Sequence, residues 1–174
     1  APFAVNQHAA PTRLEALHCV AELVKAGELV ITTTGHTTRE LLALNMRAAH
    51  FPMVGSMGCA AALGFGWSAT GRPVTVIDGD GSFLMGLSAA PLAQRASGSL
   101  RHLLLDNGRY ASTGGQATGF EDLKLSALAS AAGYHTVYTL SGLTELRARL
   151  NQPPRGIEFL YLPISDSPSG CARP

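Results

Sequence analysis

Two short polar segments carry the residue types that hold a metal ion and a phosphate group. Gly79-Asp80-Gly81 follows an apolar run that ends at Ile77, and Asn107 follows a second apolar run that ends at Leu105. A carboxylate and an amide oxygen are hard ligands of the kind that Mg²⁺ takes, together with water and phosphate oxygens. The glycines remove side chains where a phosphate must approach the backbone. The pattern therefore predicts a metal–diphosphate site.

The elements around these residues must bring them to one edge of a sheet. Residues 73–116 have the order strand, turn, helix, strand, turn, which is typical of a right-handed parallel crossover. Both strands then end at the same edge, where open α/β sheets bind ligands. The helix, predicted over 83–96, offers free N–H groups to an anion, and Ser82 at its start is a candidate cofactor contact. Taken separately, each segment has a simpler explanation: Gly79-Asp80-Gly81 as a glycine turn with a capping Asp, and Asn107 as a turn residue.

The whole pattern, Gly79-Asp80-Gly81 followed after 25 residues by Asn107, resembles the metal-diphosphate motif of thiamine diphosphate enzymes. The resemblance implies thiamine diphosphate and Mg²⁺ as cofactors. It implies three metal ligands: the Asp80 and Asn107 side chains and the backbone carbonyl of Arg109. Gly79, Gly81 and Ser82 would contact the diphosphate.

The segment Gly55-Ser56-Met57 also resembles a cofactor-binding segment of these enzymes. By resemblance, Met57 has the catalytic role of holding the cofactor in a bent shape. The Gly55 carbonyl would accept a hydrogen bond from the aminopyrimidine, and Ser56 lies between them. The residues themselves leave an alternative open, in which this segment is simply the start of a helix and Met57 packs in the core.

Two further loops follow predicted strands and are expected to form walls of the same pocket. One is residues 34–38 and the other is residues 109–116, which is polar and rich in glycine. His36, Thr37, Gln116 and Arg109 are the candidate contacts for an acid group of the substrate. For the first loop, helix capping by Thr37 or Thr38 is an equal alternative.

Four segments are similar to phosphonopyruvate and sulfopyruvate decarboxylases, namely residues 32–41, 54–58, 77–81 and 112–116. These enzymes remove CO₂ from a three-carbon 2-oxo acid that bears a phosphonate or sulfonate group. The resemblance implies a thiamine diphosphate-dependent carboxy-lyase. Two alternatives stay open: a carboligase that forms acyloins with the same residues, and a non-catalytic binding partner. Cys59 departs from the relatives, which usually have His there.

The resemblance also implies a partner. Enzymes of this type take an activating glutamate for the cofactor's pyrimidine ring from a second domain. No acidic residue of this chain has the context of that glutamate. We therefore expect a split enzyme in which this chain is the β subunit, a separate pyrimidine-binding α subunit supplies the glutamate, and the assembly is a heterotetramer or larger.

Composition narrows the class of protein. Charged residues make up 14% of the chain, against about 25% in typical soluble domains, so we expect another chain to cover part of the surface. A net charge of +1 without a basic block argues against nucleic acid. No apolar run approaches the roughly 20 residues of a membrane helix. The start of the chain lacks a basic signal-peptide region, and three cysteines without paired spacing suggest reduced thiols in the cytoplasm.

Five strands that alternate with helices predict an α/β fold, a three-layer sandwich around a parallel sheet. We expect a single thiamine diphosphate-binding domain over residues 1–174, with residues 1–11 and 163–174 as loosely ordered tails.

Overall fold

One parallel sheet organises the chain. The computed structural model describes residues 10–119 and 122–166, and its six strands lie in the order β2-β1-β3-β4-β6-β5. They are β1 (Leu29–Thr32), β2 (Ala49–Pro52), β3 (Val74–Gly79), β4 (Leu100–Asp106), β5 (Thr136–Thr139) and β6 (Ile157–Pro163). The parallel α/β prediction is confirmed, but the predicted number of strands is wrong. The missing strand is β2, which is short and contains His50 and Pro52 in place of a β-branched pattern.

Helices cover both faces of the sheet. The α-helices are α1 (Arg13–Leu23), α2 (His36–Leu42), α3 (Ala60–Ser68), α4 (Asp80–Met85), α5 (Leu125–Ala132) and α6 (Leu143–Leu150). One apolar cluster joins a face of the sheet to α1, α2 and α6, and a second joins the other face to α3, α4 and α5. The expected three layers are therefore present.

The helix predicted over residues 83–96 is two elements. Helix α4 begins at Asp80 and ends at Met85, and a 3₁₀ helix spans Leu87–Gln94. Gly86 separates them, and Pro91 lies inside the second. A proline lacks the N–H that an α-helix requires in its interior, which favours the tighter helix here.

Glycines, rather than hydroxyl side chains, precede three of the described α-helices. Gly35 precedes α2, Gly79 precedes α4 and Gly142 precedes α6, and these helices have no side-chain cap within the described residues. The alternative prediction that Thr37 or Thr38 caps α2 is therefore wrong. Thr38 instead donates a hydrogen bond to the Thr33 carbonyl oxygen at 2.6 Å. Helix α1, by contrast, has a capping box formed by Thr12 and Glu15.

The end of the described chain is ordered against its beginning. Residue 163 ends β6, and Ser165 forms an isolated bridge with Thr12 and donates its N–H to the Pro11 carbonyl at 2.8 Å. Loose order was expected for residues 163–174, so that expectation is wrong for 163–166. Its remainder, and most of the expected N-terminal tail, lie outside the described residues. Within the described part of the chain, no helix is both long and apolar enough to span a bilayer.

Candidate functional site

The register of two central strands brings the predicted metal ligands together. Strands β3 and β4 are parallel, and Gly79 pairs with Leu105. Asp80 begins α4 directly after β3, and Asn107 follows the end of β4. Both therefore lie at the carboxyl edge of the sheet, on neighbouring strands, as the crossover predicts.

Three oxygen-bearing groups converge at this edge. One atom of the Asn107 amide lies 3.0 Å from the Arg109 carbonyl oxygen and 3.3 Å from Asp80 Oδ1. If that atom is the nitrogen, it donates hydrogen bonds to both oxygens; if it is the oxygen, three acceptors face one another. Neighbouring ligands in an octahedral Mg²⁺ shell with bonds of about 2.1 Å lie about 3 Å apart. The second orientation therefore suits a bound cation, and the first satisfies the site without one.

Asp80 is a buried carboxylate with spare binding capacity. It is 2% exposed, and among the described residues its Oδ2 has no hydrogen-bond partner. Burial, followed by the nearby Asp106 carboxylate, raises the pKa of Asp80 to about 6. A buried carboxylate with one unpaired oxygen beside another carboxylate is costly unless a cation compensates it. The residues present therefore fit Mg²⁺.

A pocket opens over these groups and includes most of the predicted site residues. Its lining contains Met57, Gly79, Asp80, Gly81, Ser82, Asn107, Arg109, His36 and Thr37. Met57 is half-buried, as a side chain that must meet a ligand can be. Gly55, Ser56 and Gln116 lie outside this lining. The Gln116 side chain packs instead over Gly114.

The two glycines that flank Asp80 have different surroundings. A Cβ atom on Gly81 would overlap the Tyr110 ring, whereas a Cβ on Gly79 would have only the Leu105 carbonyl oxygen within 4 Å, at 3.9 Å. The space that the sequence assigns to a phosphate at Gly81 is thus partly taken by Tyr110. The sequence predicts small residues on both sides of Asp80 but does not reveal this aromatic neighbour.

Ser82 connects three segments of the site. Its Oγ accepts a hydrogen bond from the Thr33 hydroxyl at 2.7 Å and another from the Gly58 N–H at 3.0 Å. A Cβ on Gly86 would overlap the Gly58 carbonyl oxygen, so the two backbones touch. The loop of residues 53–59, here called the Met57 loop, and helix α4 are therefore packed together without an intervening side chain.

The loop that follows Asn107 folds back over the pocket. Arg109 forms an isolated bridge with Ala117, and Tyr110 N–H donates to the Gln116 carbonyl at 2.9 Å. His36 Nε2 lies 3.1 Å from the Ala111 carbonyl oxygen, and burial lowers the pKa of His36. A neutral ring that donates from Nε2 to this carbonyl holds the loop in place. His36 is thus a contact of the loop, which the sequence does not predict.

The cations near the pocket are arranged differently from the prediction. The Arg109 guanidinium is half-exposed; it lies 3.4 Å from Asp166 and donates to the Gly115 carbonyl at 2.9 Å. Arg13, which sequence reasoning missed, lines the pocket and forms a buried ion pair with Glu40 at 2.7 Å. Its partner is 27 residues away in sequence, so the only sequence signal is an arginine in the first turn of a helix that begins at the ligand edge.

Known proteins resemble this chain in sequence. The family model for the C-terminal TPP (thiamine pyrophosphate) binding domain of thiamine pyrophosphate enzymes matches residues 33–153. The chain is 48% identical over 160 residues to a phosphonopyruvate decarboxylase of Streptomyces hygroscopicus, which covers 90% of this chain and 40% of that protein. It is 39% identical over 154 residues to sulfopyruvate decarboxylase subunit beta of Methanothermobacter thermautotrophicus, with 87% and 81% covered.

A solved structure supports the fold. A protein from Mycobacterium smegmatis described as a thiamin diphosphate-dependent enzyme superposes with a TM-score of 0.72 at 24% identity, over 91% of this chain and 32% of that one. The comparisons confirm the resemblance stated from the sequence. The chain spans about 40% of the length of the phosphonopyruvate decarboxylase that it matches.

Proposed function

Because the chain belongs to the thiamine pyrophosphate enzyme family, through the C-terminal TPP binding domain, we propose that it holds the diphosphate of thiamine diphosphate through Mg²⁺. We further propose that it serves a decarboxylase that acts on 3-phosphonopyruvate or 3-sulfopyruvate. The observation that carries the proposal is the approach of the Asn107 amide to Asp80 Oδ1 and the Arg109 carbonyl. An oxygen-rich site of this spacing at a sheet edge suits Mg²⁺ with phosphate oxygens as further ligands.

The residues of this chain would bind and orient the cofactor. Asp80, Asn107 and the Arg109 carbonyl would ligate the metal, and the N–H groups that begin α4 would face the diphosphate. Met57, on the pocket wall, would hold the rest of the cofactor against the sheet edge. When bound, thiamine diphosphate supplies the electron sink for loss of CO₂.

The activating acid must come from outside the described residues. Among the described residues that line the pocket, Asp80 is the single acidic one, and the proposal assigns it to the metal. The nearby Glu40 is paired with Arg13. A glutamate from a pyrimidine-binding region, in a separate α subunit or in another segment of the polypeptide, would complete the site. The Methanothermobacter relative is named as subunit beta, and this supports the heteromeric form.

The surface beside Met57 suits such a neighbour. Phe51, Val54 and Met85 are large apolar side chains with exposed fractions of 49%, 73% and 61%. Val54 is in the Met57 loop, and the Met85 backbone lies against Gly58. Exposed apolar groups that cluster next to a pocket are typical of an interface, and a neighbouring domain here would reach the cofactor.

The test is turnover in defined mixtures. The chain, alone and combined with a pyrimidine-binding α subunit, is incubated with Mg²⁺, thiamine diphosphate and 3-phosphonopyruvate, 3-sulfopyruvate or pyruvate. We expect CO₂ and the matching aldehyde only in the combined sample and only with the substrate that bears a phosphonate or sulfonate group. Omission of thiamine diphosphate is the control. Full activity of the chain alone would contradict the two-part site, and acyloin formation with an added aldehyde would indicate the carboligase alternative.

A further inference from the structure

We propose that Arg13 is the pocket's cationic contact for a tetrahedral oxyanion and that Glu40 holds it in orientation. This inference rests on the proposed function, which brings two such groups to the pocket: the terminal phosphate of the cofactor and the phosphonate or sulfonate of the substrate. Both have the same charge-bearing oxygens, so a guanidinium suits either.

The ion pair leaves one edge of the guanidinium available. Arg13 Nε donates to Glu40 Oε2 at 2.9 Å, and Nη2 donates to Oε1 at 2.7 Å. This is a bidentate pair that uses two of the three guanidinium nitrogens. The N–H groups of Nη1 remain, and among the described residues none accepts a hydrogen bond from them. Arg13 also lines the pocket, so this edge is its remaining capacity for a ligand.

Burial makes this arginine a stronger contact than the other cations nearby. Arg13 is 5% exposed and Glu40 is 3% exposed. A guanidinium that is already desolvated and fixed loses little entropy when it binds an anion. Its charge is also weakly screened by water. By contrast, the Arg109 guanidinium is half-exposed and paired with Asp166, and partial burial lowers the pKa of His36, which favours the neutral ring.

Hydroxyl groups can complete the anion contact. Thr34, Thr37 and Ser112 line the pocket together with Arg13. None of the three side chains has a hydrogen bond within the described residues. A charge-assisted bond from Arg13 with one or two neutral hydroxyl donors is a common arrangement for phosphate and sulfonate oxygens.

The test replaces both charged side chains of the pair with apolar side chains of similar size. In Arg13→Met/Glu40→Leu both members of the ion pair are replaced, because loss of the arginine alone would leave an uncompensated buried carboxylate. The control is Arg101→Met/Glu158→Leu, which removes a buried pair at the opposite edge of the sheet. It is the more severe change, because Arg101 also donates to the Arg149 and Gln152 carbonyls. Arg13→Lys keeps a charge but lacks the planar fork, and it serves if the double variant does not fold.

Calorimetry on the full chain measures the affinity for Mg²⁺ with thiamine diphosphate and for Mg²⁺ with inorganic pyrophosphate. KM values in the complete enzyme are compared for 3-phosphonopyruvate, 3-sulfopyruvate and pyruvate, which lacks the second acid group. Loss of one charge-assisted contact should cost about 10- to 100-fold. A loss of that size for thiamine diphosphate and pyrophosphate identifies the cofactor phosphate as the partner. Unchanged affinities with a raised KM for the two acid-bearing substrates, but not for pyruvate, identify the substrate group.

The inference is overturned if a folded Arg13→Met/Glu40→Leu variant, or Arg13→Lys, changes none of these values relative to the Arg101→Met/Glu158→Leu control. Failure of the proposed function is a separate result. If the unaltered chain does not bind thiamine diphosphate with Mg²⁺, the proposed function is rejected. Binding of pyrophosphate and of methylphosphonate to the unaltered and variant chains then still decides the role of Arg13.

Discussion

The two edges of the sheet bury polar groups in different ways. At the amino edge, Arg101 Nη2 donates to the carbonyls of Arg149 and Gln152 at 2.9 and 2.6 Å. Arg101 Nε is 3.8 Å from Glu158, and Glu28 accepts a hydrogen bond from Thr75. Positive and negative charges there compensate one another, although Arg101 Nε itself has no hydrogen-bond partner within the described residues.

At the carboxyl edge, a buried acceptor is left without a donor. Asp80, Asn107 and the Arg109 carbonyl approach one another at a pocket, and within the described residues Asp80 Oδ2 is left unpaired. The difference teaches that burial alone does not identify a functional site. Polar groups that satisfy each other stabilise the fold, whereas polar groups that share the same sign or the same acceptor role require something from outside the chain.

Arg101→Met is the largest expected effect on stability. It leaves Glu158 and Glu28 buried without their cation, and loss of one partner of a buried pair costs about 3–5 kcal/mol. We expect a lower unfolding midpoint in urea with no change in the affinity of the folded chain for Mg²⁺ and thiamine diphosphate. A weakened affinity in folded protein would show that the two edges are not independent.

Asp80→Asn should weaken cofactor binding without lowering stability, the opposite of Arg101→Met. Loss of the charged ligand should weaken Mg²⁺-dependent binding of thiamine diphosphate by about 100-fold or more, since even groups behind metal ligands are worth about 10- to 100-fold. The metal-free chain should become more stable, because the burial and the Asp106 repulsion that raise the pKa of Asp80 are relieved.

Each kcal/mol of that relief raises the melting temperature by about 2–4 °C. Calorimetric binding and thermal unfolding of the same samples measure both effects. An Asp80→Asn chain that binds the cofactor normally would end the metal assignment at the carboxyl edge.

The two glycines beside Asp80 offer a matched pair within that edge. Gly81→Ala should displace the Tyr110 ring and the loop that carries it, with an expected loss of cofactor affinity of about 10-fold, in the range that overpacking costs. Gly79→Ala meets only an ordinary contact and should bind nearly as well as the unaltered chain. Equal losses in the two variants would assign both glycines to phosphate contact instead.

Ser82→Ala is the smallest effect. It removes the acceptor for the Thr33 hydroxyl and the Gly58 N–H, and each such bond contributes about 1 kcal/mol. We expect a small loss of stability in thermal unfolding and a slight loss of cofactor affinity. Ser68→Ala, which removes a hydrogen bond from Ser68 to the Phe65 carbonyl at a distance from the pocket, is the control. An effect on binding alone would make Ser82 a direct cofactor contact.

Local patterns that depend on neighbours in sequence were predictable here. The run from Val74 to Asn107 contains two buried strands and their crossover, so parallel pairing of the two strands places Asp80 beside Asn107. Helix α5 ends at Ala132 and is followed by Gly133, which has φ of 97°, as a glycine after an apolar helical repeat predicts.

Features that depend on distant residues were not predictable. The Arg13–Glu40 pair, the hydrogen bond from His36 to Ala111 and the ring of Tyr110 over Gly81 each join segments whose spacing carries no periodic signal. The short edge strand β2 was not predicted, because its pairing with β1, rather than its own residues, makes it a strand.

The direct backbone contact between Gly58 and Gly86 has a thermodynamic consequence. Met57 precedes one of these glycines, and the helix that begins at Asp80 ends just before the other. We therefore expect a ligand group that displaces Met57 also to displace helix α4, which carries Asp80. Under the proposed function the free energies of binding beside Met57 and beside Asp80 are then linked, and by reciprocity each changes the other by the same factor.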